Sequence, residues 1–180
     1  MPSYVALLRA VNVGGTGKLP MSALMQICVD AGMESVRTYI ASGNVVFTSK
    51  LKERAIRLAL ETRLERFAGK PVGVVIRTAE EMDAVLRANP FKKEPPNRTV
   101  AIFLNEVPPE DILAQVKGRS TEQLAVGARE IYVFYGEGMA GSKLRIPGAE
   151  PGTARNINTI AKLASMAGGP APRKSKRRSA

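Results

Sequence analysis

The sequence predicts an α+β protein made of two ferredoxin-like halves with antiparallel sheets, the second half followed by a C-terminal helix. Short apolar runs typical of strands alternate with stretches in which apolar residues recur at helical spacing. In the first half these segments follow the order βαββαβ, which defines the ferredoxin-like unit. A similar order of strand, helix and hairpin returns in the second half, without a strict sequence repeat.

The elements of the first half are bounded by turn-forming residues. Its predicted strands are the apolar runs 3–11, 35–41, 45–49 and 72–77. A helix begins after Pro20, which suits the first helical position, and ends at Gly32. A second helix, 51–67, carries one apolar face and ends before Gly69. Cys28 lies on the apolar stripe of the first helix, so we expect a packed and unreactive thiol.

The second half begins after a helix that opens with Thr78 and Glu81 in capping-box spacing and ends at Asn89. Its predicted strands are 99–104, 121–126 and 130–135. We predict a helix from Pro108 to Gly118, and a final helix with Thr153 as its N-cap that runs through Met166. The domain boundaries are therefore 1–78 for the first half, 79–97 for a connecting helix and linker, 98–167 for the second half, and 168–180 for a disordered basic tail.

The composition excludes several chemistries. The chain has no histidine and one cysteine, which removes Ser-His and Cys-His dyads, HExxH metal sites and CxxC zinc sites. Neither of the glycine-rich nucleotide-binding motifs is present, because Asn12 and Leu19 stand where the phosphate loop needs Gly and Ser or Thr. We therefore expect no cofactor and no metal.

The net charge of +11 is shared between the body of the chain and a short basic C-terminus. Five basic residues and no acid lie in 168–180; without them 22 basic and 16 acidic residues remain, a net charge of +6. Such a tail favours nucleic acid as a partner or is a solvated, disordered end.

No apolar segment has membrane-spanning length and no export signal is visible, so we expect a cytoplasmic protein without a membrane partner. The oligomeric state stays open.

Several motifs together resemble the bacterial domain of unknown function 1697 family. The resemblance covers residues 4 to about 166 and implies a cytoplasmic α+β protein with ferredoxin-like topology and no established activity. The motifs are Leu8-Arg9-Ala10-Val11-Asn12-Val13-Gly14-Gly15, Lys18-Leu19-Pro20-Met21, Tyr39-Ile40-Ala41-Ser42-Gly43-Asn44-Val45-Val46-Phe47, Asn89-Pro90-Phe91, Ser142-Lys143-Leu144 and Thr153-Ala154-Arg155-Asn156-Ile157-Asn158-Thr159.

Polar and glycine residues follow the first strand and the second strand, whose C-terminal ends share one edge of a βαββαβ sheet. If the final helix folds back to this edge, the Thr153–Asn156 segment joins them in a cationic, amide-rich pocket for a phosphate or carboxylate. The alternative interpretation is a glycine-rich connection, an ordinary turn and ordinary helix caps. The predicted ligand-binding residues are Arg9, Asn12, Gly14, Gly15, Lys18, Ser42, Gly43, Asn44, Ser142, Lys143, Arg155, Asn156 and Asn158.

Three functions remain open on the sequence alone. The first is binding of a small anionic ligand in that pocket. The second is association with nucleic acid through the basic surface and tail, and the third is an enzyme that uses Ser or Lys without histidine. No catalytic residue is identified.

Overall fold

The computed structural model describes residues 1–12 and 18–168. Gly14 and Gly15, and all of the predicted tail except Gly168, lie outside the described residues. The first half consists of β1 (Ser3–Leu8), α1 (Met21–Asp30), β2 (Glu34–Thr38), β3 (Asn44–Thr48), α2 (Glu53–Ala68) and β4 (Val74–Thr78). Helix α3 (Ala79–Ala88) leads to the second half, which consists of β5 (Thr99–Phe103), β6 (Gln123–Val126), β7 (Glu130–Phe134), β8 (Thr153–Asn156) and α4 (Ile157–Gly168).

The predicted α+β fold with two antiparallel sheets is confirmed. The strand order is β2-β3-β1-β4 in the first sheet and β6-β7-β5-β8 in the second. The two sheets therefore have the same topology, with β1 equivalent to β5, β3 to β7 and β4 to β8. Each sheet is followed directly by a helix, α3 after β4 and α4 after β8.

The prediction of a helix from Pro108 to Gly118 is wrong. Only a single 3-10 turn, Ile112–Gln115, forms there. The backbone of Lys117 instead exchanges two hydrogen bonds with Arg145, with N···O distances of 2.9 and 2.8 Å. This pairing requires extended backbone, and the turn is too short to compete with it, because helices of a few residues are unstable without packing.

The prediction that Thr153 caps the final helix is also wrong. Thr153–Asn156 is β8, which pairs antiparallel with β5 from Phe103 to Val100. The strand satisfies backbone groups at the edge of β5 that a helix would leave unpaired. Helix α4 begins after it, and the side chain of Asn156 is the cap, since its Oδ1 accepts the N–H of Thr159 at 2.9 Å.

Alternation along the strands divides the core into three layers. Ala6 and Leu8 of β1 face α1 and α2 on the outer side of the first sheet. Val5 and Leu7 face the second sheet, α3 and α4, and form the central layer between the halves. A smaller outer layer covers the other face of the second sheet, where only Ile112–Gln115, Pro147–Ala149 and loops lie.

None of the helices within residues 1–12 and 18–168 is both long and apolar enough to cross a lipid bilayer. In the same part of the chain, no group of three or more acidic, Cys or His side chains could hold a metal ion.

Cys28 is fully buried in the outer layer of the first half, as its position on the helical stripe predicts. Burial raises the pKa of its thiol to about 12, and only the thiolate reacts readily with disulfide reagents. We expect the thiol to resist labelling by a chromogenic disulfide in the native protein at mildly alkaline pH, and to react at once in concentrated guanidinium chloride. Rapid labelling under native conditions would contradict this packing.

Candidate functional site

Arg155 connects the second half to the predicted edge of the first. Its Nε–H donates to Oδ1 of Asn44 at 2.6 Å. Its other N–H groups face the carbonyl oxygens of Leu8, Ser42, Gly43 and Ala154 and the hydroxyl of Thr153, at 2.8–3.4 Å. Burial lowers the pKa of the guanidinium to about 10. All five N–H groups thus have protein acceptors, and Arg155 holds the fold together at this edge.

The turn between β2 and β3 is shaped to present these acceptors. Asn44 is fully buried, and its amide donates to the carbonyl of Tyr39 and to Oγ of Ser42, at 3.0 and 2.9 Å. Gly43 has φ of +83°, and a Cβ at this position would lie 2.5 Å from the side chain of Val11. Only glycine fits here.

Asn12 closes the connection between β1 and α1. Its side chain accepts the N–H of Leu19 at 2.7 Å and donates to the carbonyls of Leu19 and Ala41, both at 2.8 Å. Asn12 has a positive φ of 56°, and Ala10 and Ile40 at the same edge have values of 52° and 49°. Residues other than glycine adopt this conformation only when their surroundings enforce it. The backbone around the site is therefore held in a strained, fixed shape.

A second arginine, Arg77 of the first half, is fully buried and contacts the second half in the way that Arg155 contacts the first. Arg77 lies in β4, the equivalent of β8, and immediately precedes the cap of α3, as Arg155 precedes the cap of α4. Its Nη2 donates to the carbonyls of Leu104 and Arg129, at 2.7 and 3.0 Å, and lies 3.9 Å from the carboxylate of Glu130.

The acceptors in the two arrangements correspond. Leu8 is the last residue of β1 and Leu104 directly follows β5. Gly43 and Arg129 precede β3 and β7, and Asn44 and Glu130 are the first residues of those strands. In each half, the N–H of the leucine donates to the carbonyl of the turn residue, at 2.9 and 2.8 Å. Each half therefore supplies one arginine to the turn of the other.

The surroundings of Arg77 and Arg155, at the two ends of the contact between the halves, differ in the residue that precedes β3 or β7. Around Arg77, the side chain of Arg129 forms ion pairs with Glu53 and Glu81, at 2.8 and 2.7 Å. Around Arg155, the equivalent of Arg129 is Gly43, which has no side chain. Arg77 itself is 1% exposed, and desolvation lowers its pKa to about 10.

Sequence reasoning missed Arg77 and this network. A signal was available: each half contains an arginine directly before the cap of the helix that follows its last strand, Arg77-Thr78 and Arg155-Asn156.

A cavity of about 210 Å³ lies beside this edge in the first half. It lies between the connection from β1 to α1 and the end of α2. Its lining includes two lysines, Lys18 and Lys70, and among the described residues no acid. The other lining residues are Ala10, Val11, Leu19, Leu64, Phe67, Ala68 and Val72. Of the predicted site residues, Lys18 belongs to this cavity.

Arg9 is exposed and adjoins a lining residue of the same cavity in the chain, but is not itself one of the lining residues. Its N–H donates to the carbonyl of Gly73 at 2.9 Å, and its side chain packs over Gly73 at 3.5 Å from an ideal Cβ position. Its chain neighbour Ala10 and the neighbour of Gly73, Val72, both line the cavity. No ion pair between Arg9, Lys18 or Lys70 and a carboxylate occurs within the part of the chain that the structure describes.

Ser142 and Lys143 lie in a different place. They line a polar cleft of about 300 Å³ in the second half, which shares no lining residue with the Lys18 cavity. The hydroxyl of Ser142 donates to the carboxylate of Glu122, and this bond lowers the pKa of Glu122. Asn156 caps α4, and Asn158 is exposed on its first turn. The predicted residues thus divide into an arginine-linked edge, the cavity beside it and the separate Ser142 cleft.

The chain belongs to the family described as protein of unknown function DUF1697, whose model matches residues 1–132. Among solved structures, it is similar to a conserved bacterial protein, SP0830, from Streptococcus pneumoniae. The two share 26% identity with a TM-score of 0.75, over 92% of this chain and 98% of that one. No curated protein matches the chain.

We predict that Arg155→Ala destabilises the protein by about 3 kcal/mol, because it leaves buried carbonyls and Asn44 without donors. Arg155→Lys should lose most of the same free energy, since one ammonium cannot replace a planar fork with five donors. Urea unfolding measures both changes. Arg54→Ala, at an exposed arginine of α2, is the control and should change the free energy of unfolding by less than about 0.5 kcal/mol. A stable Arg155→Ala variant would show that the bonds of this guanidinium are dispensable.

Proposed function

We propose that this protein binds a small anionic ligand in the cavity lined by Lys18 and Lys70. The observation that carries the proposal is the charge of the lining. Two lysines line one cavity of about 210 Å³, and its described lining has no carboxylate to neutralise them. A ligand that carries a phosphate or a carboxylate complements such a site.

The end of α2 opposes this attraction only weakly. The helix ends at Ala68, which lines the cavity, so the negative end of its dipole lies close by. That end is equivalent to roughly half an elementary charge and its effect fades within one turn. Two full positive charges outweigh it.

The surrounding backbone supports binding because it is already fixed. Asn12 ties the connection after β1 to Leu19 and Ala41, and Arg155 ties the end of β1 to the turn at Gly43. A ligand that enters beside a fixed scaffold loses less free energy to the ordering of the protein. In this proposal Asn12, Ser42, Gly43, Asn44 and Arg155 shape the site and the lysines contact the ligand.

Nucleic-acid binding is the second candidate, favoured by the five basic residues among 169–180. Removal of the basic tail distinguishes the two functions. Removal of the tail would weaken nucleic-acid binding and reduce its salt dependence, whereas it would leave anion binding in the Lys18 cavity unchanged.

The proposal is tested with inorganic phosphate and acetate as probes, followed by amide chemical shifts in nuclear magnetic resonance at low ionic strength. Both probes should cause saturable shifts at the amides of Ala10, Leu19 and Val72. The Lys18→Ala/Lys70→Ala double variant should weaken binding about tenfold, since each lost charge costs roughly 0.5–1 kcal/mol in a partly exposed site.

Lys50→Ala removes an exposed lysine that does not line the cavity and is the matched control. It should bind both probes like the wild type. Equal weakening by Lys50→Ala would reduce the effect to overall charge, and unchanged binding by the double variant would place the anion elsewhere.

A further inference from the structure

The lining of the Lys18 cavity is mostly apolar, which bears on the class of ligand. Its floor is formed by Val11, Leu19 and Leu64, which are 6%, 5% and 1% exposed and belong to the outer core layer of the first half. Val72 packs against the same layer. Apart from the two lysines, no lining side chain in the described residues carries a polar group.

Phe67 forms an exposed aromatic wall of this cavity. It continues the stripe of Leu60 and Leu64 along α2, but those residues are buried whereas Phe67 is 51% exposed. The apolar stripe of α2 therefore ends with an exposed residue that lines the cavity, instead of one packed beneath the sheet. Apolar surface of this kind is stabilised when another apolar group covers it.

The size of the cavity limits the ligand. An apolar cavity of about 150 Å³ holds a benzene molecule, and this one measures about 210 Å³. It therefore accommodates one ring or a short acyl chain together with a carboxylate. A nucleotide is larger, and its base and ribose would need hydrogen-bonding partners that the described lining side chains other than the lysines do not supply.

The basic groups favour a carboxylate over a chelated phosphate. Lys18 and Lys70 present compact point charges, whereas Arg155, the arginine suited to bidentate phosphate binding, has its donors bound to the protein. A carboxylate complements the charge of the two lysines, and an apolar body covers Phe67.

We infer that the ligand is a small amphipathic carboxylic acid, whose apolar body packs on Phe67 and Leu64 and whose carboxylate binds Lys18 and Lys70. This inference rests on the proposed function and specifies its substrate class. It predicts that affinity depends on charge and apolar surface together.

The test compares three probes by isothermal titration: phenylacetate, its neutral analogue phenylacetamide, and acetate. Phenylacetate should bind at least about tenfold more tightly than either of the others. Phe67→Ala should weaken phenylacetate binding about tenfold and leave acetate binding unchanged. Leu58→Ala removes an apolar side chain of α2 that is 65% exposed and lies outside the lining, so it should change neither.

The outcomes separate this inference from the proposed function. If acetate and phenylacetate bind equally and Phe67→Ala has no effect, the anion site stands and the amphipathic ligand is excluded. If phenylacetamide binds as tightly as phenylacetate, charge is unimportant and both are overturned. Absence of binding by all three probes also overturns both.

Discussion

The structure depends on two guanidinium groups that cross between the halves, Arg77 fully buried and Arg155 partly buried. Burial of a charge is costly unless hydrogen bonds replace the lost water, and a guanidinium needs several acceptors in fixed positions. The turns before β3 and β7 provide them as carbonyl oxygens, and Asn44 and Glu130 complete the two sets. Because these acceptors belong to the opposite half, the position of each sheet determines whether the arginine of the other is satisfied. The strands, the turns and the central core layer are arranged around this exchange.

The site divides its tasks between two kinds of residue. Side chains with several hydrogen-bonding groups, such as Asn12, Asn44 and Arg155, bind backbone and hold Ala10, Asn12 and Ile40 at positive φ. The groups that face the neighbouring cavity are lysines and apolar side chains. In this arrangement the polar residues of the sequence motifs support the site, and the groups available to a ligand are the lysines and apolar side chains beside them.

Local patterns in the sequence predicted the fold because they reflect local physics. Short apolar runs located the strands β1 to β7, and the burial of Cys28 followed from its helical spacing. The spacing of Thr78 and Glu81 predicted a capping box, and both of its hydrogen bonds form. The errors occurred where distant segments compete. Lys117 pairs with Arg145 instead of extending a helix, and Thr153 joins β5 instead of capping one. Lys70 and Phe67 could not be assigned to the cavity, because only the packing of α2 against the connection after β1 brings them to Lys18.

The exchange of arginines has the form of an isologous interface, in which each partner offers the same element to the same place on the other. Here both partners belong to one chain, joined through α3. Neither half supplies the arginine that its own turn binds, so the loss of either one removes hydrogen-bond donors from the half that remains. Unfolding of one half therefore removes a structural support from the other, and the two are expected to melt together as a single cooperative unit. The joining of two such partners in one chain also allows their equivalent positions to differ. One end has Arg129 paired with Glu53 and Glu81 beside a small cavity of about 140 Å³, while the other has Gly43 at the corresponding place and lies beside the lysine-lined cavity of about 210 Å³.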